Sequence, residues 1–145
     1  MPLSLDGTGS ISGISTFSFS DEIIHTGDTN TAIKFPANDT VSIDTSGSER
    51  LRILSDGKIG IGVVSPSHIV HIQNATTPRL VVEDTTNNVQ AQIGADNTEA
   101  RIGTVSNHPV SFRINDSEKL RIASTGELLI GTTTAGESGA DDLTI

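Results

Sequence analysis

The chain has 145 residues and a formal net charge of −9, from 9 Lys and Arg against 18 Asp and Glu. That balance excludes recruitment of nucleic acid or an anionic membrane by charge, and the lack of cysteine excludes disulfides and thiol chemistry. Hydrophobic residues make up 34%, with four Phe and neither Trp nor Tyr, so thin aliphatic layers can be buried but no thick aromatic core. Serine and threonine together number 35, which favours strands, turns and a hydroxyl-rich surface over packed helices. No apolar run approaches the ~20 residues of a membrane span, and the N-terminus shows no basic region followed by an apolar run.

Residues 1–20 are rich in Gly and Ser with spaced Leu, Ile and Phe, and read as an N-terminal arm. Ile23 and Ile24 follow, then residues 32–35 predict a strand closed by Pro36. Residues 40–45 alternate Val41 and Ile43 with polar neighbours, the pattern of a half-buried strand. A polar turn around Gly47 leads into residues 48–62, SERLRILSDGKIGIG. Ser65-Pro66 marks a turn, residues 68–73 and 79–83 read as strands, and residues 84–88 as a turn between them and the next strand at 89–94. No stretch keeps a helical period, so the fold class is all-β.

The order then repeats. Residues 117–131, SEKLRIASTGELLIG, match residues 48–62 at nine of fifteen positions. The spacing of 69 holds upstream without a gap: Ile24 falls on Ile93, Thr29 on Thr98, Ile33 on Ile102, and Val41-Ser42 on Val110-Ser111. Such a duplication constrains the fold before anything else. It divides the chain into an arm (1–20), a first β module (21–62), connecting strands (63–90), a second β module (91–131) and a Gly/Thr-rich tail (132–145) that ends like the start of a further module.

Within the repeated stretch, Leu51 and Ile53 alternate with Arg50 and Arg52, a strand with one buried face. A two-residue loop at Asp56-Gly57 would set Ile53 opposite Gly60 and make the apolar faces disagree. A three-residue loop, Ser55-Asp56-Gly57 with the glycine left-handed, pairs Ile53 with Ile59 and Leu51 with Ile61 instead. The second copy obeys the same register, Ile122 with Leu128 and Leu120 with Ile130 around Gly126, and departs from the first in carrying Leu129 where it has Gly60. The eight aliphatics Leu51, Ile53, Ile59, Ile61, Leu120, Ile122, Leu128 and Ile130 are too thinly spread for one chain to enclose, and are expected to face a core shared between copies.

No constellation for chemistry emerges. The run from Gly57 to Gly62 has neither dinucleotide nor P-loop spacing, and no helix follows it. Asp21-Glu22, Glu83-Asp84 and Asp141-Asp142 read as solvated turn acids, because adjacent acids on a strand point to opposite faces whereas a glycosidase converges two on one cleft. His68 and His71 are an odd number apart and, on a strand, also diverge; a metal would need one histidine per chain meeting on a symmetry axis. No cofactor, catalytic residue or intrachain metal set is expected. The three N-x-[ST] matches, at Asn38, Asn74 and Asn115, are read as accidents of a Ser/Thr-rich chain.

The stretches GDTNTAIKFPANDTVSIDTSGSERLRI, SDGKIGIG and SPSHIVHIQ, and the opening LDGTGSISGIST, resemble repeat units of tail-fibre-like virion proteins of bacteriophages, especially those of marine bacteria. The twice-occurring SE[RK]LRI…G…IG carries the likeness most specifically. The resemblance implies a homotrimeric β-rich shaft, of β-prism or β-helical type, that associates with other virion proteins, supports host attachment and is extracellular once assembled. It also implies, in longer relatives, a self-cleaving chaperone domain that no segment here matches. A self-polymerising filament or adhesin subunit is the alternative, and a polysaccharide depolymerase fragment, acting on host surface glycan, a remote one.

Overall fold

The structure, a computed structural model, describes residues 16 and 18–131, and all its regular elements are strands. They are β1 (Glu22–His25), β2 (Asp28–Ala37), β3 (Thr40–Thr45), β4 (Ser48–Ile53), β5 (Ile59–Ile61), β6 (Val70–Ile72), β7 (Arg79–Asp84), β8 (Val89–Ala95), β9 (Ala100–Thr104), β10 (Val110–Ile114), β11 (Ser117–Ile122) and β12 (Leu128–Ile130). The chain divides between Gln73 and Asn74. The connecting segment is therefore shared, giving β6 to the first unit and β7 to the second. Most of the arm and all of the tail lie outside the described residues, as do Asp141-Asp142 and the possible start of a further module.

The first unit is one six-stranded sheet in sequence order, β1 to β6. Its strands join through tight turns whose residues accept left-handed backbone: Asp39 at φ 55° between β2 and β3, and Ser46 and Gly47 at φ 53° and 70° between β3 and β4. Such conformations match the twist of paired strands. Between β4 and β5, Leu54 N–H donates to Lys58 O at 2.9 Å and Gly57 N–H to Leu54 O at 2.9 Å. The loop is thus Ser55-Asp56-Gly57 with Gly57 at φ 81°, and Ile53 faces Ile59 while Leu51 faces Ile61. Only β5 and β6 run parallel.

Two expectations about this unit need correction. β2 does not stop at Pro36. It runs on to Ala37, because Pro36 falls where the β2–β3 pairing is irregular, between Lys34 and Ala37, and needs no ladder N–H there. The alternation of Arg50, Leu51, Arg52 and Ile53 is also not unbroken upstream. Ile43 pairs with Leu51 and Asp44 with Glu49, so Arg50 is the extra residue of a β-bulge.

In the second unit the same strands recur, yet the sheet divides into β7-β8-β9 and β10-β11-β12. In the first unit Ala37 pairs with Thr40 across the Asn38-Asp39 turn. Here Pro109 stands in place of Thr40 and His108 in place of Asp39. Proline brings no N–H to the ladder and restricts the residue before it. The segment forms a different turn, with His108 N–H donating to Ser106 O at 2.8 Å and Thr104 Oγ1 to His108 O at 2.8 Å. The second module thus repeats the strand order but not the β2–β3 pairing. The hairpin after β11 is kept, with Gly126 at φ 102° and Leu120 and Ile122 facing Ile130 and Leu128.

Candidate functional site

One face of the six-stranded sheet carries an aliphatic row that crosses every strand. Ile23 pairs with Ile33, Ile33 with Ile43, Ile43 with Leu51, Leu51 with Ile61 and Ile61 with Ile72. A second row, Val41, Ile53, Ile59 and Val70, runs beside it. At the usual strand spacing the long row is about 24 Å wide. No charged residue occupies either row. Yet Ile23, Ile33, Ile43, Ile53 and Ile61 each keep 39–40% of their surface exposed. Continuous apolar surface is uncommon on the exterior of a single soluble chain.

The opposite face is polar and more deeply buried. Its row reads Glu22, Lys34, Ser42, Arg52, Gly60 and His71. Ser42 is 1% exposed, and Ala32, Thr40 and Asp44 are also buried. Lys34 Nζ binds Asp44 Oδ2 at 2.8 Å, and that hydrogen bond pushes the ammonium pKa up, keeping it charged. Arg52 Nε donates to Glu49 Oε1 at 2.7 Å and its Nη2 to Oε2 at 2.5 Å. Glu49 and Arg52 are thus paired within one chain.

The second unit reproduces both faces in pieces. Leu80, Ile93 and Ile102 form one apolar row; Val110, Ile122 and Leu128, and Phe112, Leu120 and Ile130, form two more. Ile122 and Leu128 are exposed, whereas Leu120 and Ile130 are half-buried. Where the sheet divides, a cavity of about 410 Å3 opens, lined among others by Leu80, Val82, Ile93, Ile102, Pro109 and Val110. On the polar side Arg121 grips Glu118 as Arg52 grips Glu49, at 2.7 and 2.6 Å. Those bonds, with the nearby Arg113 charge, hold the Glu118 carboxyl below its usual range.

Gly60 explains how β6 reaches its place. The Val63 carbonyl lies where a Cβ on Gly60 would stand, so the connection after β5 folds back directly over the polar face. Pro66 is buried in that connection. Leu129 occupies the equivalent position in the second unit, opposite Arg121, and is 8% exposed.

Of the residues weighed for chemistry, the described acids do not converge, whereas the two histidines meet at one serine, because His68 precedes β6 and does not lie on a strand with His71. Ser67 joins the two histidines: its hydroxyl lies 2.9 Å from His68 Nδ1, and its N–H donates to His71 Nδ1 at 3.3 Å. Asp84 turns its carboxylate on the loop after β7, accepting from Asn87 Nδ2 at 2.8 Å and Thr86 N–H at 2.9 Å, which holds it below the usual range. Its neighbour Glu83 instead accepts from Gln90 at 2.8 Å. No group of three or more His, Cys, Asp or Glu suited to a metal occurs among the described residues. The bulge-dependent Glu–Arg pairs were not anticipated from the sequence. Their signal is opposite charge at an odd spacing, twice over. No protein-family model matches this chain, and no curated protein matches it significantly.

Proposed function

We propose that this chain is a structural building block of a viral fibre, a homotrimeric β shaft that supports host attachment and catalyses nothing. The observation that carries the reading is the uncovered aliphatic row from Ile23 to Ile72. Burying the rest of each isoleucine is worth roughly 1 kcal/mol, and Ile23, Ile33, Ile43 and Ile61, with Ile53 in the row beside them, share this face. Association with copies of the same chain is the simplest way to cover a face with no charge to pair. The number three and the virion setting come from the resemblance to tail-fibre-like proteins.

Duplication supports the structural reading as well. The residues kept in both modules are strand-face aliphatics, turn glycines and a Glu–Arg pair, whereas a catalytic set is needed once. Contact with a host glycan would then fall to single-copy loops such as residues 74–78 and 84–88. Light scattering of the purified chain, with negative-stain images of the same sample, tests the reading. A mass of three chains and elongated particles are expected; a folded monomer at micromolar concentration overturns it.

A further inference from the structure

We propose that Asp56-Gly57 is a spontaneous modification site, at which the main chain isomerises to isoaspartate, and that Lys58 holds this reaction back. The chemistry needs only these two residues and water. The Gly57 nitrogen attacks Cγ of the protonated Asp56 carboxyl; a C–N bond forms, and the hydroxyl leaves as water with the proton of the nitrogen. Water then opens the five-membered ring. Opening at the former backbone carbonyl of Asp56 leaves the chain running through the side chain, one methylene longer, with a free carboxyl on the old main-chain carbon. One water is released and one consumed, and nothing is oxidised or reduced.

The loop gives this reaction its opportunity. Asp56-Gly57 is the one Asp-Gly bond among the described residues, and Ser55, Asp56 and Gly57 are all exposed. Gly57 has no side chain to shield its nitrogen, and nothing lies within 4 Å of where a Cβ would stand.

Three hydrogen bonds oppose it. Lys58 Nζ donates to Asp56 Oδ2 at 2.7 Å, and Lys58 N–H donates to Oδ1 at 3.2 Å. Both favour the ionised form, so the Asp56 carboxyl is held below its usual range, first by the bond from the lysine side chain. An ionised carboxylate has no hydroxyl to lose. Gly57 N–H in turn donates to Leu54 O at 2.9 Å, which ties up the proton that the attack must release.

The second module makes the same loop without either partner. Thr125 and Glu127 stand in place of Asp56 and Lys58, and Gly126 N–H still donates to Ala123 O at 2.9 Å. The hairpin therefore requires neither residue, and the copy that lacks the reactive carboxyl also lacks the lysine. What the reaction would damage is register. The three-residue loop sets Ile53 opposite Ile59 and Leu51 opposite Ile61, and an added backbone methylene spoils that closure and misaligns both aliphatic rows. The inference does not rest on the fibre reading.

The test incubates wild type, Lys58→Gln and Lys58→Arg at about pH 5, where part of an aspartate population is protonated. Isoaspartate at residue 56 is then read by peptide mass mapping with electron-transfer fragmentation. Losing the lysine should speed conversion about threefold or more, because the protonated share rises as the pKa returns to its ordinary value. Lys58→Arg should stay close to wild type, and a synthetic peptide of residues 51–62 should convert faster than the folded chain. If Lys58→Gln does not fold, wild type in about 1 M salt, where an exposed ion pair is screened, gives the same comparison and should also convert faster. Equal rates for wild type and a folded Lys58→Gln chain, or for wild type and the free peptide, overturn the proposal.

Discussion

Glu49 and Arg52 stand three positions apart on one strand and yet share a face, joined by two parallel hydrogen bonds at 2.7 and 2.5 Å. In an unbroken strand an odd spacing sends side chains to opposite faces. The bulge at Arg50 slips the phase by one residue, which brings Glu49 round to Arg52 and frees Arg50 to donate to Thr45 Oγ1 at 3.0 Å. The same slip occurs at Lys119, between Glu118 and Arg121. A fork-to-fork carboxylate–guanidinium pair adds geometric specificity to the bulge it closes over.

This pair gives the second unit a pH dependence of known sign. The Glu118 carboxyl is held below its ordinary value, first by its hydrogen bonds from Arg121. Its contribution is therefore present above the unfolded glutamate pKa, about 4.3, and is lost as pH falls through the lower folded pKa. Thermal melts between neutral pH and pH ~3 should show that loss in wild type and a flatter profile in Glu118→Gln. Equal slopes for the two proteins would remove the pair from the account.

Ile53→Asp places a charge in the middle of the aliphatic rows, where no partner stands. Desolvating it on association is unfavourable, so the variant should disperse to single chains in light scattering. The exposed position of Ile53 in one chain means that folding itself is affected less than assembly.

Gly57→Val and Gly126→Val put a β-branched residue at φ 81° and 102°. Each should cost on the order of 1–3 kcal/mol in denaturant unfolding. The space around both glycines is open, with nothing within 4 Å of an added Cβ, so the loss comes from backbone strain alone. Gly→Ala at the same sites should then also destabilise.

Gly60→Leu tests a different physics, because backbone conformation there is ordinary and space is lacking. The side chain would have to displace the Val63 carbonyl, at about 1–3 kcal/mol for overpacking. Amide exchange should quicken at Val70–Ile72, which that connection delivers, and not at β2 or β3.

Replacing His108-Pro109 by the first module's residues, as His108→Asp with Pro109→Thr, restores the turn chemistry of Asp39 and Thr40. Amides of β9 and β10 should become more protected as the two sheets join and the cavity closes. Unchanged exchange would show that the division has another cause.

Much of this was legible in the sequence. Periodicity and the 69-residue spacing gave the strands, and face-matching gave the three-residue loop and the Ile53–Ile59 register, because a one-residue slip would have exposed the wrong side. The bulges were not legible, since Arg50 continues the alternation seen in Leu51, Arg52 and Ile53, and only the unused Glu49 signals the slip. Pro36 was read as a stop because its neighbours, not its own residue type, decide whether a ladder N–H is missed. His108-Pro109 was visible as a difference, but its effect depends on which strands would otherwise have paired.

The division between β9 and β10 also sets how the molecule carries tension. Strands pulled along their length resist by shearing the hydrogen bonds that join them to their neighbours, so what matters is which strands remain joined. The first unit presents six strands in one sheet, and the second presents two sets of three. A force applied through the chain would accordingly be borne differently by the two units.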